Sequence, residues 1–255
     1  MSNVSQYKYI LYLLLYMIFR KNIHIPVTKW RDLMNNQDLR FFDHKKHLLL
    51  TTSREFEGYV IKIKSWDETS IRNDYDILKK IKHQNIIIPI CYFEYEGDIL
   101  KYLSDEEYDI CTDEGNFEET SVLIRKYYPS LEHCDVLLNH EIYHQIVLCM
   151  FNLLVVHKIR MNHLNISHIF FENSFIKRNT LKYNLFSKQY IVQSKKIVKI
   201  ELENIEILDT IEQKHFRELY SQLIDILQNI QCRYNIVVSG DDTPEDMLES
   251  ILKQF

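Results

Sequence analysis

The first half of the chain alternates between apolar and polar positions in the manner of strands. Residues 48–64 run LLLTT and then YVIKIK around β-branched positions, which predicts two paired strands. Residues 85–97 (NIIIPICYFEYEG) read as two further strands, and a turn at 96–98 leads into DILKYL. SVLIRKYY, at 121–128, predicts another strand after an acidic interruption at 104–119. The first half is therefore predicted to form a β-sheet.

One helix is predicted to interrupt these strands. Residues 70–82 have helical spacing, and Ile71, Asp74, Leu78 and Ile81 fall on one face. The helix is expected to end near residue 83.

After Pro129 the pattern becomes mainly helical. Residues 139–157 and 216–230 repeat apolar residues at helical spacing, which predicts two buried helices. Between them, residues 169–171 and 190–203 are predicted to be paired strands, joined by a lysine-rich hairpin. The basic residues of this hairpin are Lys177, Arg178, Lys182 and Lys188.

The last helix has a clear start signal. Thr243 is a predicted cap, Pro244 suits the first turn, and Asp246 stands at the acidic position of a capping box. The predicted buried face consists of Met247, Leu248, Ile251, Leu252 and Phe255. Strands followed by helices indicate an α+β fold in two layers or lobes.

Charge and cysteine content exclude some classes of function. The 31 basic and 36 acidic residues give a net charge of -5, which argues against nucleic-acid binding or anionic-membrane binding by bulk electrostatics. The five cysteines are widely spaced without a C-x-x-C pair, so neither a disulfide framework nor a cysteine zinc site is indicated. A reducing, cytoplasmic compartment is expected.

The most apolar stretch lies at residues 9–19 (YILYLLLYMIF). It is about half the length of ~20 residues that a membrane span needs. A packed or partner-binding N-terminal helix is the favoured interpretation, and membrane contact through 9–19 is the less favoured alternative.

Four segments, taken together, resemble eukaryotic-type protein kinases. Residues 73–93 (NDYDILKKIKHQNIIIPICYF) resemble the regulatory helix and the strand after it, and YVIKI is similar to the strand that carries the kinase lysine. VVHKIRMNHLNISHIFF resembles the end of the long helix and the catalytic loop, in the style of kinases from poxviruses and other large DNA viruses. IVKIELE resembles the strand leading into the metal-binding D-F-G.

The resemblance covers residues 45–255 and implies a two-lobed kinase-like fold. It divides the chain into an N-terminal helical extension (1–39), a small β-rich N-lobe with one regulatory helix (40–127) and a reduced, mainly helical C-lobe (128–255).

The resemblance also implies the residues of a vestigial ATP and Mg²⁺ site. Lys62 takes the place of the lysine that contacts the α and β phosphates, and Asp74 replaces the glutamate that pairs with it. Glu201 stands where the metal-binding aspartate is expected. Its longer side chain alters the geometry that Mg²⁺ demands.

The catalytic loop departs further from the family pattern. His163 replaces the aspartate base and His168 replaces the metal-binding asparagine; an alternative register places Asn165 at the base position. Neither register provides a carboxylate, and Mg²⁺ prefers oxygen ligands to imidazole.

Two further features of the family are absent from the sequence. Gly58 is the only glycine between residues 48 and 62 and is too close to Lys62 for a glycine-rich phosphate loop. Between Glu203 and a helix beginning near Glu212 there is no room for an activation segment. The sequence therefore predicts a pseudokinase, with ATP and Mg²⁺ expected only if the nucleotide site is retained. The alternative is a divergent active serine/threonine kinase using Lys62, Asp74 and Glu201.

A rival motif lies at 140–144, where HEIYH matches the H-E-x-x-H of zinc metallopeptidases. His163 or Glu172 would supply a third ligand. The same segment begins a predicted core helix, with Ile142 and Ile146 on its buried face. Zinc peptidase activity is the second alternative.

The expected partner of a pseudokinase is another protein. Three regions are predicted to make the contact: the acidic loop at 104–119, the lysine-rich hairpin at 177–199 and the N-terminal apolar helix. The style of the catalytic loop indicates a viral chain acting in the host cytoplasm.

Overall fold

The computed structural model describes residues 25–34, 39–43, 48–51, 56, 58–65, 70–96, 119–131, 140–173, 178–229 and 242–253. The helices in these ranges are α1 (Val27–Met34), α2 (Ser70–Leu78), α3 (His140–His157), α4 (Gln213–Asn229) and α5 (Pro244–Leu252). The strands of the first half are β1 (Leu39–Asp43), β2 (Leu48–Thr51), β3 (Tyr59–Ser65), β4 (Cys91–Glu96) and β5 (Glu119–Lys126). Those of the second half are β6 (Ile159–Met161), β7 (Ile169–Asn173), β8 (Asn179–Leu185), β9 (Lys188–Ser194), β10 (Lys196–Ile200) and β11 (Ile205–Ile207). A mixed α+β architecture is thereby confirmed.

The first five strands form one antiparallel sheet in the order β1-β2-β3-β5-β4. The predicted pairing within residues 48–64 is confirmed, since Leu48 lies opposite Lys62 across β2 and β3. The prediction of two strands within residues 85–97 is wrong. Only β4 belongs to the sheet, because Ile86 and Ile87 bond instead to the backbone around Ile200 of β10.

Successive side chains along each strand point to opposite faces of the sheet, and the two faces have different surroundings. One face packs against α1, where the buried ring of Trp30 lies 4.6 Å from the ring of Phe56. Ile61, Ile63 and Ile124 belong to the same apolar cluster. The opposite face of β3 and β5 carries the charged residues of the candidate site.

A second apolar core surrounds α3. Every residue from Gln145 to Leu154 is buried, as expected for a helix that is enclosed on all sides. Strands β8, β9 and β10 and helices α4 and α5 pack around it. Ile77 and Leu78 of α2 belong to this second core, so α2 connects the sheet to the helical half.

The strand pair predicted in the second half is present, with a different boundary. Strands β7 and β10 pair antiparallel from Asn173–Lys196 to Ile169–Ile200. The single strand predicted over 190–203 is in fact β9 and β10, because the chain bends at Lys195, where the Ser194 Oγ accepts the Lys196 N–H at 3.2 Å. The predicted lysine-rich hairpin is a separate two-stranded ribbon of β8 and β9.

The helix termini were predicted with unequal success. The capping box of α5 is confirmed. Thr243 Oγ1 accepts the Asp246 N–H at 3.2 Å, and the Asp246 carboxylate accepts the Thr243 N–H at 3.2 Å. Helix α2 ends at Leu78 rather than near residue 83.

Several predictions concern residues outside the described ranges: the apolar helix at 9–19, DILKYL at 98–103 and the acidic loop at 104–119 except its last residue, Glu119, which begins β5. Within the described ranges, the helices are too short or too polar to cross a membrane.

Candidate functional site

Two cations and two carboxylates meet at the face of the sheet opposite α1. In the register of β3 and β5, Lys62 lies opposite Leu123, which places Arg125 two positions along the same face. The chain after β10 brings Glu201 and Glu203 against these cations. Lys62 is 5% exposed, Arg125 2% and Glu201 6%, so the cluster is largely removed from solvent.

Glu201 is held by two cations. Arg125 Nε donates to Oε1 at 2.8 Å and Arg125 Nη2 donates to Oε2 at 3.1 Å, a bidentate pair. Lys62 Nζ lies 3.7 Å from Glu201 Oε1 and donates a hydrogen bond to Glu203. Both oxygens of Glu201 and the ammonium of Lys62 are therefore engaged within the protein.

The electrostatics of the cluster keep its members ionised. Burial alone would raise the pKa of Glu201, but the charges of Arg125 and Lys62 outweigh it and lower that pKa to about 2. Burial alone would lower the pKa of Lys62, but Glu201 and Glu203 raise it. The cluster thus combines two basic and two acidic side chains, which contribute formal charges of opposite sign.

Little space remains beside these side chains. The adjoining cavity, lined by Lys62, Asp74, Arg125, Glu201 and Glu203 among others, has a volume of about 20 Å³. That volume holds a water molecule or two. Lys62 and Glu201, which the sequence assigns to an ATP and Mg²⁺ site, both bond other side chains of the protein in this arrangement.

Asp74 has a different role from the predicted one. Its carboxylate accepts the backbone N–H groups of Asn204 at 2.9 Å and Ile205 at 3.2 Å. Among the described residues, Lys62 forms ion pairs with Glu201 and Glu203 and not with Asp74, so the predicted Lys62–Asp74 pair is wrong. The physical reason is that the Glu203 side chain reaches the ammonium of Lys62, while the shorter side chain of Asp74 binds the turn after Glu203.

The two loop histidines lie in the segment between β6 and β7. His163 is exposed in the loop between β6 and a 3-10 turn at Ile166–His168. His168 is half-buried, and its Nδ1 accepts the Asn165 N–H at 3.3 Å. Asn165 Oδ1 accepts the Ser167 N–H at 2.9 Å. Asn165 and His168 thus form a capping box that fixes the loop backbone.

The backbone brings His168 next to the ionic cluster, since the Glu201 N–H donates to the His168 carbonyl at 2.9 Å. The loop from Lys158 to His168 contains no aspartate or glutamate. After β11 the chain reaches α4 through residues 208–212 alone, which leaves no activation segment there. Gly58 occupies the turn directly before β3, at φ 84°, and does not belong to a phosphate-binding loop.

The HEIYH motif begins α3 and its polar side chains make local contacts. The rings of His140 and His144 lie 5.9 Å apart. His144 Nε2 bonds the Leu252 carbonyl at 3.1 Å, and Glu141 lies 3.8 Å from Arg178. Within the part of the chain that the structure describes, no three His, Cys, Asp or Glu side chains form a group that could hold a metal ion.

Comparison with known proteins gives structural similarity only. No protein-family model and no curated protein matches the chain. A crystal structure of a kinase domain is similar with a TM-score of 0.42 and 13% identity, covering 81% of this chain and 69% of that one. A crystal structure of the Rad53 kinase domain and SCD2 in complex with AMPPNP has a TM-score of 0.44 and 10% identity, covering 85% and 72%. Similarity at this level does not assign the chain to a family.

Sequence reasoning found Lys62, Asp74 and Glu201 and missed the part played by Arg125. The structure places all four of these residues around one cavity. The available signal was the lone arginine within the apolar strand SVLIRK, because a charged residue in a buried strand requires a partner.

Proposed function

We propose that this chain is a two-lobed, protein-kinase-like protein that binds another protein and does not transfer phosphate. The order of its kinase-like motifs supports this fold, as do the five-stranded sheet and the separate core around α3. Lys62, Asp74 and Glu201, which come from three separate segments of the sequence, also line the same cavity.

The ionic cluster is the observation that carries the proposal. A phosphate-binding lysine needs an ammonium that is available to the nucleotide, and a metal-binding carboxylate needs free oxygen lone pairs. Here Glu203 and Glu201 neutralise Lys62, while Arg125 occupies both oxygens of Glu201. Binding of nucleotide and Mg²⁺ would require these buried ion pairs to separate, at a cost of several kcal/mol.

The catalytic loop supports the same proposal. A general base contributes roughly 10²–10⁴-fold to proton transfer, and His163, at the corresponding position, is an exposed side chain without a carboxylate beside it in the loop. His168, which stands for the metal-binding asparagine, caps the loop backbone instead.

The remaining parts of the proposal follow from the sequence. A chain that has lost the groups for phosphate transfer but keeps two cores serves best as a binding surface, so the expected ligand is a protein and no cofactor is required. The resemblance of residues 155–171 to the catalytic loop of kinases from large DNA viruses supports a viral origin and action in the host cytoplasm.

Transfer of labelled γ-phosphate from ATP tests the proposal. Purified chain, incubated with Mg²⁺ or Mn²⁺ and general protein substrates, should transfer no more label than the Lys62→Met variant. Lys80→Met, which changes an exposed lysine after α2, is the matched control. Transfer by the unaltered chain and by Lys80→Met that is lost in Lys62→Met would establish the divergent kinase instead.

A further inference from the structure

The β8–β9 ribbon is an insertion between β7 and β10, and the pairing of those two strands does not require it. Strands β7 and β10 already form an antiparallel pair that begins at Asn173 and Lys196, and a two-residue turn is enough to close such a pair. The chain instead uses residues 174–195 to connect them and builds the ribbon there.

The inner face of the ribbon is firmly attached to the rest of the molecule. Leu181, Tyr183 and Val192 are buried in the core around α3. Lys188 Nζ lies 2.7 Å from Glu245 Oε1, and the Tyr190 hydroxyl donates to Glu249 at 2.9 Å, which joins β9 to α5. A surface held in this way needs little ordering when it binds a partner.

The outer face of the ribbon is polar and basic around one exposed apolar side chain. Ile191 is 56% exposed and lies directly opposite Lys182, which is also exposed. The outward residues on either side of this pair are Thr180, Asn184, Gln189 and Gln193. None of these residues is acidic.

The absence of acids extends beyond the ribbon. The sequence from Asn173 to Ile200 contains no aspartate or glutamate, although the chain has 36 of them. Carboxylates elsewhere in the fold pair with Arg178, Lys188 and Lys199. Lys182 and Lys195 are exposed, and neither side chain forms a hydrogen bond or an ion pair with another described residue. Within the part of the chain that the structure describes, the positive charges of Lys182 on the outer face and of Lys195 directly after β9 are therefore not neutralised by an ion pair.

We infer that this outer face binds an acidic segment of a partner protein, with an apolar side chain of that segment packed on Ile191. The inference deepens the proposed function, on which it rests, by naming the surface and the chemistry of the partner. Lys182 on this face and the exposed Lys195 directly after β9 attract the carboxylates, and Ile191 supplies the apolar contact on which interface affinity commonly depends.

The composition of the face favours a protein over a nucleic acid. Binding to phosphates typically uses six to ten cationic contacts, whereas Lys182 and Lys195 are the exposed cations here without an ion pair in the described structure. The centre of the face is the apolar Ile191, and the chain as a whole has a net charge of -5, which repels nucleic acid.

Selection from a random peptide library displayed on phage tests the inference. The full chain is the bait, and the double variant Lys182→Glu/Ile191→Ala is used for counter-selection. We expect the enriched peptides to carry Asp or Glu on both sides of an aliphatic or aromatic residue. Enrichment of neutral or basic peptides, or no enrichment that depends on the ribbon, would overturn the inference.

Titration of the best peptide then measures the contribution of each residue. Ile191→Ala and Lys182→Glu should each weaken binding about tenfold. Ile207→Ala, which alters a side chain of β11 with the same 56% exposure, should leave affinity unchanged. Equal losses in all three variants, or tighter binding of single-stranded DNA than of the peptide, would contradict the assignment.

The outcomes for the ribbon and for phosphate transfer are separable. Ribbon-dependent peptide binding by a chain that transfers phosphate would uphold the inference and refute the proposed function. A chain that transfers no phosphate and selects no peptide through the ribbon would refute the inference alone.

Discussion

At the scale of single residues, Arg125 determines how the carboxylate of the candidate site is used, because it bonds both oxygens of Glu201. Its guanidinium makes two parallel bonds to Glu201, donates to the Lys126 carbonyl at 3.1 Å and lies 4.8 Å from the ring centroid of Phe170. Such a planar group pairs well with a buried carboxylate. Because Glu201 is then fully engaged, the position that resembles a metal ligand serves as the anchor of an internal ion pair.

Replacement of Arg125 by methionine should destabilise the fold strongly. The substitution keeps an apolar stem but leaves buried Glu201 with Lys62 as its remaining cation, and breaking a buried pair typically costs about 3–5 kcal/mol. Urea unfolding followed by circular dichroism measures this loss.

Arg72→Met is the matched control, because Arg72 pairs with Glu94 at 3.5 Å on the surface, where its side chain is 68% exposed. Surface pairs contribute about 0–1 kcal/mol. Similar losses in the two variants would show that the Arg125 pair is not an energetic anchor.

The limits of sequence reasoning are clear at this scale. The pattern around Lys62 placed it correctly in a strand, whereas Glu201, which the pattern included in a strand over 190–203, follows the end of β10 at Ile200. The pairing of Arg125 with Glu201 joins residues 76 positions apart, and periodicity gives no information about such contacts. The predicted Lys62–Asp74 pair failed because Glu203, for which the sequence predicted no ionic role, accepts the hydrogen bond of Lys62.

In helix α2, one polar residue, Asp74, attaches the helix to the turn after Glu203. Its buried face includes Ile71, Ile77 and Leu78, and Asp74 on the same helix binds the N–H groups of Asn204 and Ile205. Asn204 has a left-handed backbone conformation at φ 51°, which asparagine tolerates better than most residues. The carboxylate therefore fixes both the helix and the tight turn after Glu203.

Asp74→Ala should cost about 1–3 kcal/mol of unfolding free energy, because two backbone donors lose their acceptor. Asp76→Ala on the same helix alters a side chain that is 46% exposed and should change stability by less than about 0.5 kcal/mol. Chemical denaturation of both variants makes the comparison. A loss from Asp74→Ala no larger than that from Asp76→Ala would disprove the docking role.

At the scale of helices and strands, predictions are correct where a local sequence pattern decides the structure. The capping box at Thr243 and the apolar spacing of α3 and α4 identified those helices correctly. The break between β9 and β10 was missed because the whole segment has strand-like spacing, which carries no sign of the bend at Lys195. Residues 85–87 bond to β10, a long-range pairing that spacing along the chain does not reveal.

At the scale of the whole molecule, a buried polar network joins the two halves. Asn85, between α2 and β4, donates to the Val198 carbonyl at 2.9 Å and to Gln145 Oε1 at 3.3 Å, and it accepts the Tyr183 hydroxyl at 2.7 Å. These bonds tie the sheet side of the molecule to α3, β8 and β10. The ribbon is therefore connected through Tyr183 to the same framework as the ionic cluster.

The central claim is that the internal ion pairs of Lys62, Arg125, Glu201 and Glu203 close the site to nucleotides. Thermal denaturation with and without ATP and Mg²⁺ tests it most directly, because a ligand that binds the native state raises the melting temperature. We predict no shift at millimolar ATP for the unaltered chain. A clear rise in melting temperature that disappears in Lys62→Met would show that nucleotide binds there and would contradict the account.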